Sequence, residues 1–291
     1  MGACDNALSL TRMIYSVQNS LTLDNKGFSV SKKWLVLGSC RVVNTIAYTG
    51  NDAVVLNDRD LWFTHYPDEH MQKILHLSGE HSIPKEHKEL FVRFEQQNHY
   101  SSHSKLRVGD SIETGKAVLQ DSDSNGALNV AIELPTLRYI KVPTDDGLFW
   151  GHITNIDLIR NSPFNQSGGF YTDEAFLDAL NKLEQAVTGM VSSSGLANSV
   201  NFIYVPHNPF IELKEGGWGL STERAHIFEL IRQHCSKTSQ ESKLQVYRCA
   251  LDVKSMIEEN GGVDFMLSGQ NHYSREGHKV AYKYLNELAL I

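Results

Sequence analysis

The chain has 291 residues, 41% hydrophobic and 21% charged, ordinary proportions for a soluble globular protein. That length fits one large domain or two small ones, because single cores stop growing near ~250–300 residues. A net charge of −7, from 27 basic and 34 acidic residues with no long run of either sign, excludes the basic footprint of a generic nucleic-acid binder and gives no pull toward anionic membranes.

Residues 1–16 lack a signal-peptide core, and no run approaches the ~18 apolar residues of a membrane span. The cysteines, Cys4, Cys40, Cys235 and Cys249, are too few and too irregular for a disulfide framework or a zinc site. They read as thiols of a reducing compartment, so a cytoplasmic location is expected.

Residues 1–31 are polar and weakly patterned and read as an N-terminal extension, with residues 32–291 as a single α/β domain with long loops. The first strong strand is 34–37, WLVL, followed by a short helix over about 41–48 and a second buried strand at 53–56. Pro67 suits a first helical position and Gly79 a stop, with Met71, Ile74, Leu75 and His76 on the inner face between them. Residues 101–126 are rich in Ser, Asp and Gly, with a helical island over 111–119.

The third strand is 128–134, ended by Pro135 and followed by a polar loop. Thr172 caps an amphipathic helix whose Phe176, Leu180, Leu183 and Val187 share one face. The fourth strand, 200–205, ends at Pro206-His207-Asn208-Pro209. Ser221 opens a helix with Phe228, Ile231 and Cys235 on its apolar side, and the fifth strand lies near 244–251. The closing segment GQNHYSREGHKVAYKYLNEL turns helical. Short apolar strands alternating with helices predict a three-layer α/β fold: a mainly parallel five-stranded sheet with helices on both faces.

In such sheets functional groups collect beyond the carboxyl ends of the strands. Four ends supply Gly38-Ser39-Cys40-Arg41, Glu133-Leu134-Pro135-Thr136, Pro206-His207-Asn208 and Asn271-His272-Tyr273-Ser274. A cysteine at a strand-to-helix turn sits where the helix N-terminus lowers a thiol's pKa and where backbone N–H groups hold an oxyanion. Arg41 adds to that field. The plainer alternative is a buried cysteine acting as a small hydrophobe. His272, in the last loop, supplies the base that would take the thiol proton and return it to a leaving group. With 13 histidines in the chain, most are bystanders held by hydrogen bonds.

VLGSCR resembles the opening block of SGNH/GDSL-type esterases and acyltransferases, with Ser39 in the Asp place and Cys40 in the nucleophile place. HYSREGHKVAYKYL resembles their closing block, DxxHxSxxGH. The cysteine-bearing branches, GSCFA-type domains and capsule-polysaccharide acyltransferase-like proteins, are the nearer likeness, and VAIELPTLRY and IYVPHNP are similar to their middle segments. The resemblance implies an SGNH/flavodoxin-like fold with Cys40 and His272 as the catalytic pair. Gly38, Ser39, Arg41, His207 and Asn208 would serve the oxyanion and the substrate. It also implies a carbohydrate or other hydroxylated substrate, a small molecule or glycan, with no resident cofactor and an acyl donor such as acyl-CoA.

Two positions depart from the pattern. Gly269 stands where the family has Asp, leaving Asp264, a backbone carbonyl or an unsupported dyad as alternatives. The Gly-x-Asn-Asp block is absent from the third strand, with Asn208 as a substitute donor or simply a satisfied loop residue. A non-catalytic binding protein with the same cleft is therefore the alternative function, and a thiol redox sensor without a resolving cysteine is a third.

No metal set stands out. Glu69-His70, His76, His81 and His87 do not form HExxH, and histidines on a polar helix are more often surface residues than ligands. GGWGL at 216–220 lacks the lysine of a phosphate cradle, and Trp218 either lines a cleft or covers the core.

Overall fold

Alternating apolar side chains make the first strand a two-faced one. In β1 (Lys32–Leu37), Leu35 and Leu37 enter one core while Trp34 and Val36 enter the other. The computed structural model describes residues 32–46, 48, 53–56, 62–83, 88–91, 126–145, 147–153, 167–236 and 244–290. All belong to the second of two units, Met1–Val30 and Ser31–Ile291. The extension expected at 1–31 and the helical island at 111–119 lie outside the described residues.

After β1 come α1 (Cys40–Ile46), β2 (Ala53–Val55), α2 (Pro67–Leu77), the short α3 (Lys88–Phe91) and β3 (Ala127–Leu134). Strands β4 (Arg138–Thr144), β5 (Gly147–Trp150) and β6 (Ser167–Phe170) follow, then α4 (Asp173–Ser194) and β7 (Ser199–Pro206). Next are β8 (Phe210–Glu212), β9 (Trp218–Leu220), α5 (Thr222–Cys235), β10 (Gln245–Ala250), α6 (Val253–Glu259) and α7 (Val263–Met266). The chain ends in β11 (Leu267–Gly269), β12 (His272–Tyr273) and α8 (Arg275–Leu288).

The five strands expected from the sequence form one sheet in the order β10-β7-β3-β1-β2, every neighbouring pair parallel. Helices α2, α4 and α5 cover one face, packing Ile74, Phe176, Leu180, Leu183 and Ile231 on the sheet. Helices α1, α6 and α8 cover the other with Val42, Met256, Ile257, Ala281 and Leu285. This is the three-layer α/β architecture. The strand order reverses between β1 and β3, and such a switch point opens a crevice at the carboxyl ends of the two strands.

Two asparagines lie buried in the central strands, and each is matched. Asn129 on β3 accepts from Leu290 N at 2.8 Å and from Asn201 Nδ2 at 3.0 Å, and donates to Leu290 O at 2.8 Å. Asn201 on β7 also donates to Leu288 O at 2.9 Å. The chain segment after α8 is thus held to the centre of the sheet.

The polar loop expected after β3 is instead a three-stranded antiparallel sheet, order β5-β4-β6. Its Ile140, Val142 and Phe149 join Trp62, Ile83 and Phe91 in a separate small core. Trp218, in the β8–β9 hairpin, packs on the α1/α8-side core and so covers it.

Candidate functional site

The turn after β1 is built against β3. A Cβ on Gly38 would stand 2.7 Å from Glu133 Cβ and 2.3 Å from Val42 Cγ1, so only glycine lets the turn pass this close. Ser39 then donates to Glu133 Oε2 twice, from its hydroxyl at 2.6 Å and its backbone N–H at 2.8 Å. Arg41 Nε donates to the other carboxylate oxygen at 2.6 Å. Burial pushes the Glu133 carboxyl up, but the Arg41 guanidinium and the Ser39 bonds outweigh it and hold the group below the ordinary carboxylate range. An ionised carboxylate therefore clamps the two residues flanking Cys40.

A second layer fixes this clamp. Thr64 N donates to Gly38 O at 3.0 Å. Thr64 Oγ1 lies 2.7 Å from His70 Nδ1, whose Nε2 lies 2.8 Å from the Glu133 carbonyl oxygen. The carbonyl can only accept, so His70 carries its proton on Nε2 and accepts a hydrogen bond from the Thr64 hydroxyl at Nδ1. Burial pushes this ring down to about 3, consistent with a neutral imidazole. His70 and His76 are 0% and 2% exposed: His76 lies on the inner face as expected, while the burial of His70 corrects the expectation that the helix histidines lie on the surface. The reason is that α2 is sandwiched between α4 and the antiparallel sheet, so its polar side is covered too.

Arg41 also donates an Nη1 proton to His207 Nε2. His207 Nδ1 then carries the proton and points it at the Asn208 carbonyl, 3.1 Å away. Burial first, then the Arg41 and Arg224 cations, push His207 well below the usual histidine range. His207 is thus a neutral support for Arg41 at the wall of the site.

Asn208 is committed to the loops. Its amide donates to Gln270 O at 2.9 Å and accepts from Phe210 N at 2.9 Å. Arg224 Nη1 reaches the carbonyls of Asn208, Phe210 and Gln270, each at 3.0 Å, and Nη2 reaches Asn271 Oδ1 at 2.9 Å. The loop after β7 and the loop carrying His272 are therefore one hydrogen-bonded unit.

The closing sequence block has its own structural logic. Ser274 caps α8, accepting from Gly277 N at 2.9 Å and donating to Phe265 O at 2.6 Å. A Cβ on Gly277 would fall 2.0 Å from Met266 O, so the helix start needs glycine there. His278 Nδ1 lies 2.9 Å from Thr45 Oγ1, which donates to Arg41 O at 2.7 Å. The buried end of the block thus braces the helix that begins with Cys40.

Above these supports lies a cleft of about 420 Å³, lined in part by Ser39, Cys40, Arg41, His207, Arg224 and His272. His65 and Arg138 also line it. Cys40 is half-buried and in no disulfide, and His272 is exposed. Gly38 and Asn208 lie behind the lining. Asp264 accepts from Trp218 Nε1 at 3.0 Å on an exposed flank. Among the described residues, no hydrogen bond orients the His272 ring.

Gly269 takes φ +150°, a backbone region side-chain-bearing residues rarely adopt, at an irregular step of the β11–β12 ladder. Glu212 Oε1 lies 3.7 Å from where a Cβ at 269 would stand.

The sequence places Glu133 at a strand end but marks no role for it, and it does not single out Arg224 or His65. A carboxylate inside the apolar run VAIEL was a signal that a buried counter-charge had to exist. Arg224 and His65 carry no comparable mark. No family model and no curated protein matches the chain.

Proposed function

We propose that the protein is an SGNH-like cysteine enzyme that moves or hydrolyses an acyl group, with Cys40 as nucleophile and His272 as base. The observation that supports this is one cleft, at the switch point of the sheet, lined by both residues from opposite ends of the chain. His272 takes the Cys40 proton, the thiolate sulfur bonds the acyl carbon, and the bond to the leaving group breaks as His272 returns the proton to it. Water or an acceptor hydroxyl then gives its proton to His272 and displaces Cys40, restoring the thiol. In this reading the developing oxyanion is held by backbone N–H donors at the start of α1.

With Arg41 already paired to Glu133, the lining cations Arg138 and Arg224 exceed the one lining carboxylate, Glu223, and favour a substrate or donor bearing anionic groups, such as the phosphates of acyl-CoA, with a hydroxylated acceptor. A reducing compartment such as the cytoplasm suits a working thiol. Incubation with an acyl-CoA or an activated ester followed by mass spectrometry tests the reading. An acyl adduct on Cys40, absent from Cys40→Ala, is expected. Full turnover by Cys40→Ala would sink it.

A non-catalytic ligand-binding protein is the second reading, favoured by a His272 ring that no hydrogen bond orients among the described residues. Thiol alkylation against pH separates the two. An activated Cys40 reacts well below the ordinary thiol pKa of ~8.5 and slows in His272→Ala, whereas a binding protein shows neither behaviour.

A further inference from the structure

A second cluster lies beside the cleft and involves none of the residues assigned to acyl chemistry. His65 precedes α2, Glu69 lies in its first turn, and His152 follows β5. Their ligating atoms all lie within 4.8 Å of one another. His152 is 0% and Glu69 1% exposed, while His65 reaches the cleft lining.

The cluster is held by the elements that supply it. Tyr66 donates its hydroxyl to Gly151 O at 2.7 Å. Gln72 donates to Trp150 O at 3.1 Å and accepts from Trp150 N at 2.7 Å. The residues just before His152 are thus pinned to the helix that carries Glu69. Glu69 Oε2 accepts from His65 N at 2.7 Å, which fixes the carboxylate plane. Its Oε1 is buried with no hydrogen-bond partner among the described residues.

A buried carboxylate oxygen without a donor costs about 1–3 kcal/mol or more, so a cationic occupant answers a defect that the fold otherwise carries. Burial pushes the Glu69 carboxyl well above its usual range, although the His65 N–H and the nearby Lys73 pull it down. Lys73 Nζ itself bonds the Trp62 carbonyl at 2.8 Å.

We propose that His65, Glu69 and His152 form a binding site for one divalent transition-metal ion of the zinc class. Two imidazoles and one carboxylate match the mixed N/O preference of such ions, and three protein ligands leave a fourth position. Ligand bonds of ~2.0–2.2 Å place tetrahedral donors ~3.3–3.5 Å apart, so the three groups close inward slightly around the ion. His65 also lines the cleft, so the site lies behind the cleft wall, with one coordination position left for water or an anionic ligand.

The test is metal binding by the full chain. Protein stripped with a chelator is titrated with Zn²⁺ against a chromophoric competitor, and with Co²⁺ for its visible d–d absorption. One equivalent is expected, with a four-coordinate Co²⁺ spectrum and a raised Tm on adding Zn²⁺. Glu69→Gln keeps the acceptor for His65 N and should fold, yet weaken binding by at least ~10-fold. His152→Ala should act likewise, while Cys40→Ala should bind as the parent does. The absence of a saturable equivalent overturns the proposal, as does binding that survives both Glu69→Gln and His152→Ala. So does binding lost in Cys40→Ala, which would move the metal to the thiol.

Discussion

Glu133 holds both the hydroxyl and the backbone N–H of Ser39 with a single carboxylate oxygen, at 2.6 and 2.8 Å. The turn that displays Cys40 is therefore positioned from a neighbouring strand, and its geometry depends on a charge buried in β3. Glu133→Gln keeps the shape but leaves the Arg41 guanidinium buried without its counter-ion. The expected loss is about 3–5 kcal/mol in urea unfolding. A change below about 1 kcal/mol would show that the pair does not hold the turn.

Gly38→Ala forces a methyl against Val42 Cγ1 and Glu133 Cβ. The Val42 atom can turn away and the Glu133 Cβ cannot. Destabilisation of about 1–3 kcal/mol is expected. Adding Val42→Ala should recover only part of it, as read from paired denaturation curves.

Gly269→Asp would write the family's residue into the closing block, but the backbone there sits at φ +150°. Strain of about 1–3 kcal/mol should appear as a lower Tm. On the proposed acyl chemistry no gain in turnover is expected, because accommodating a side chain at this φ disturbs the β11–β12 step in which residue 269 pairs with His272. An increase in both stability and turnover would contradict this account.

Stability should fall as pH drops from 7 toward 4. Burial pushes His76 and His278 each down to about 4 from the ordinary ~6.5. Between those values the unfolded chain binds protons that the folded chain refuses. The contribution is complete above ~6.5 and drains at ~1.4 kcal/mol per pH unit for each ring. Glu133 and Glu184, held below the ordinary carboxylate range by their cationic and hydrogen-bonding partners against the pull of burial, lose their contribution at still lower pH. Asp68 and Glu69, pushed up by burial, act in the opposite sense. Comparing His278→Gln with the parent isolates one ring: its stability–pH slope between pH 6 and 5 should be shallower by about 1.4 kcal/mol per unit.

The parallel sheet was legible because runs such as WLVL and VNFIYV are apolar on both faces, which only a doubly covered strand needs. The antiparallel sheet was not. In β4, RYIKVPT buries only Ile140 and Val142, and its Pro143 and charged residues read as loop. In β6, SGGF reads as a turn. The turn at 38–41 was legible as a candidate, but its electrostatics depend on which residues of β3, β7 and α5 fold against it. The spacing of His65 and Glu69 placed both near one helix start. Nothing in it announced His152, which arrives from a sheet the sequence did not reveal.

The bonds from Asn129 and Asn201 to residues 288–290 also set an order of events during synthesis. Strands β3 and β7 can pair as soon as both exist, yet their buried amides lack their final partners until those late residues are made. His272 emerges with the same stretch. A chain paused before this point would present a sheet whose central amides still lack those partners, and a cleft without His272.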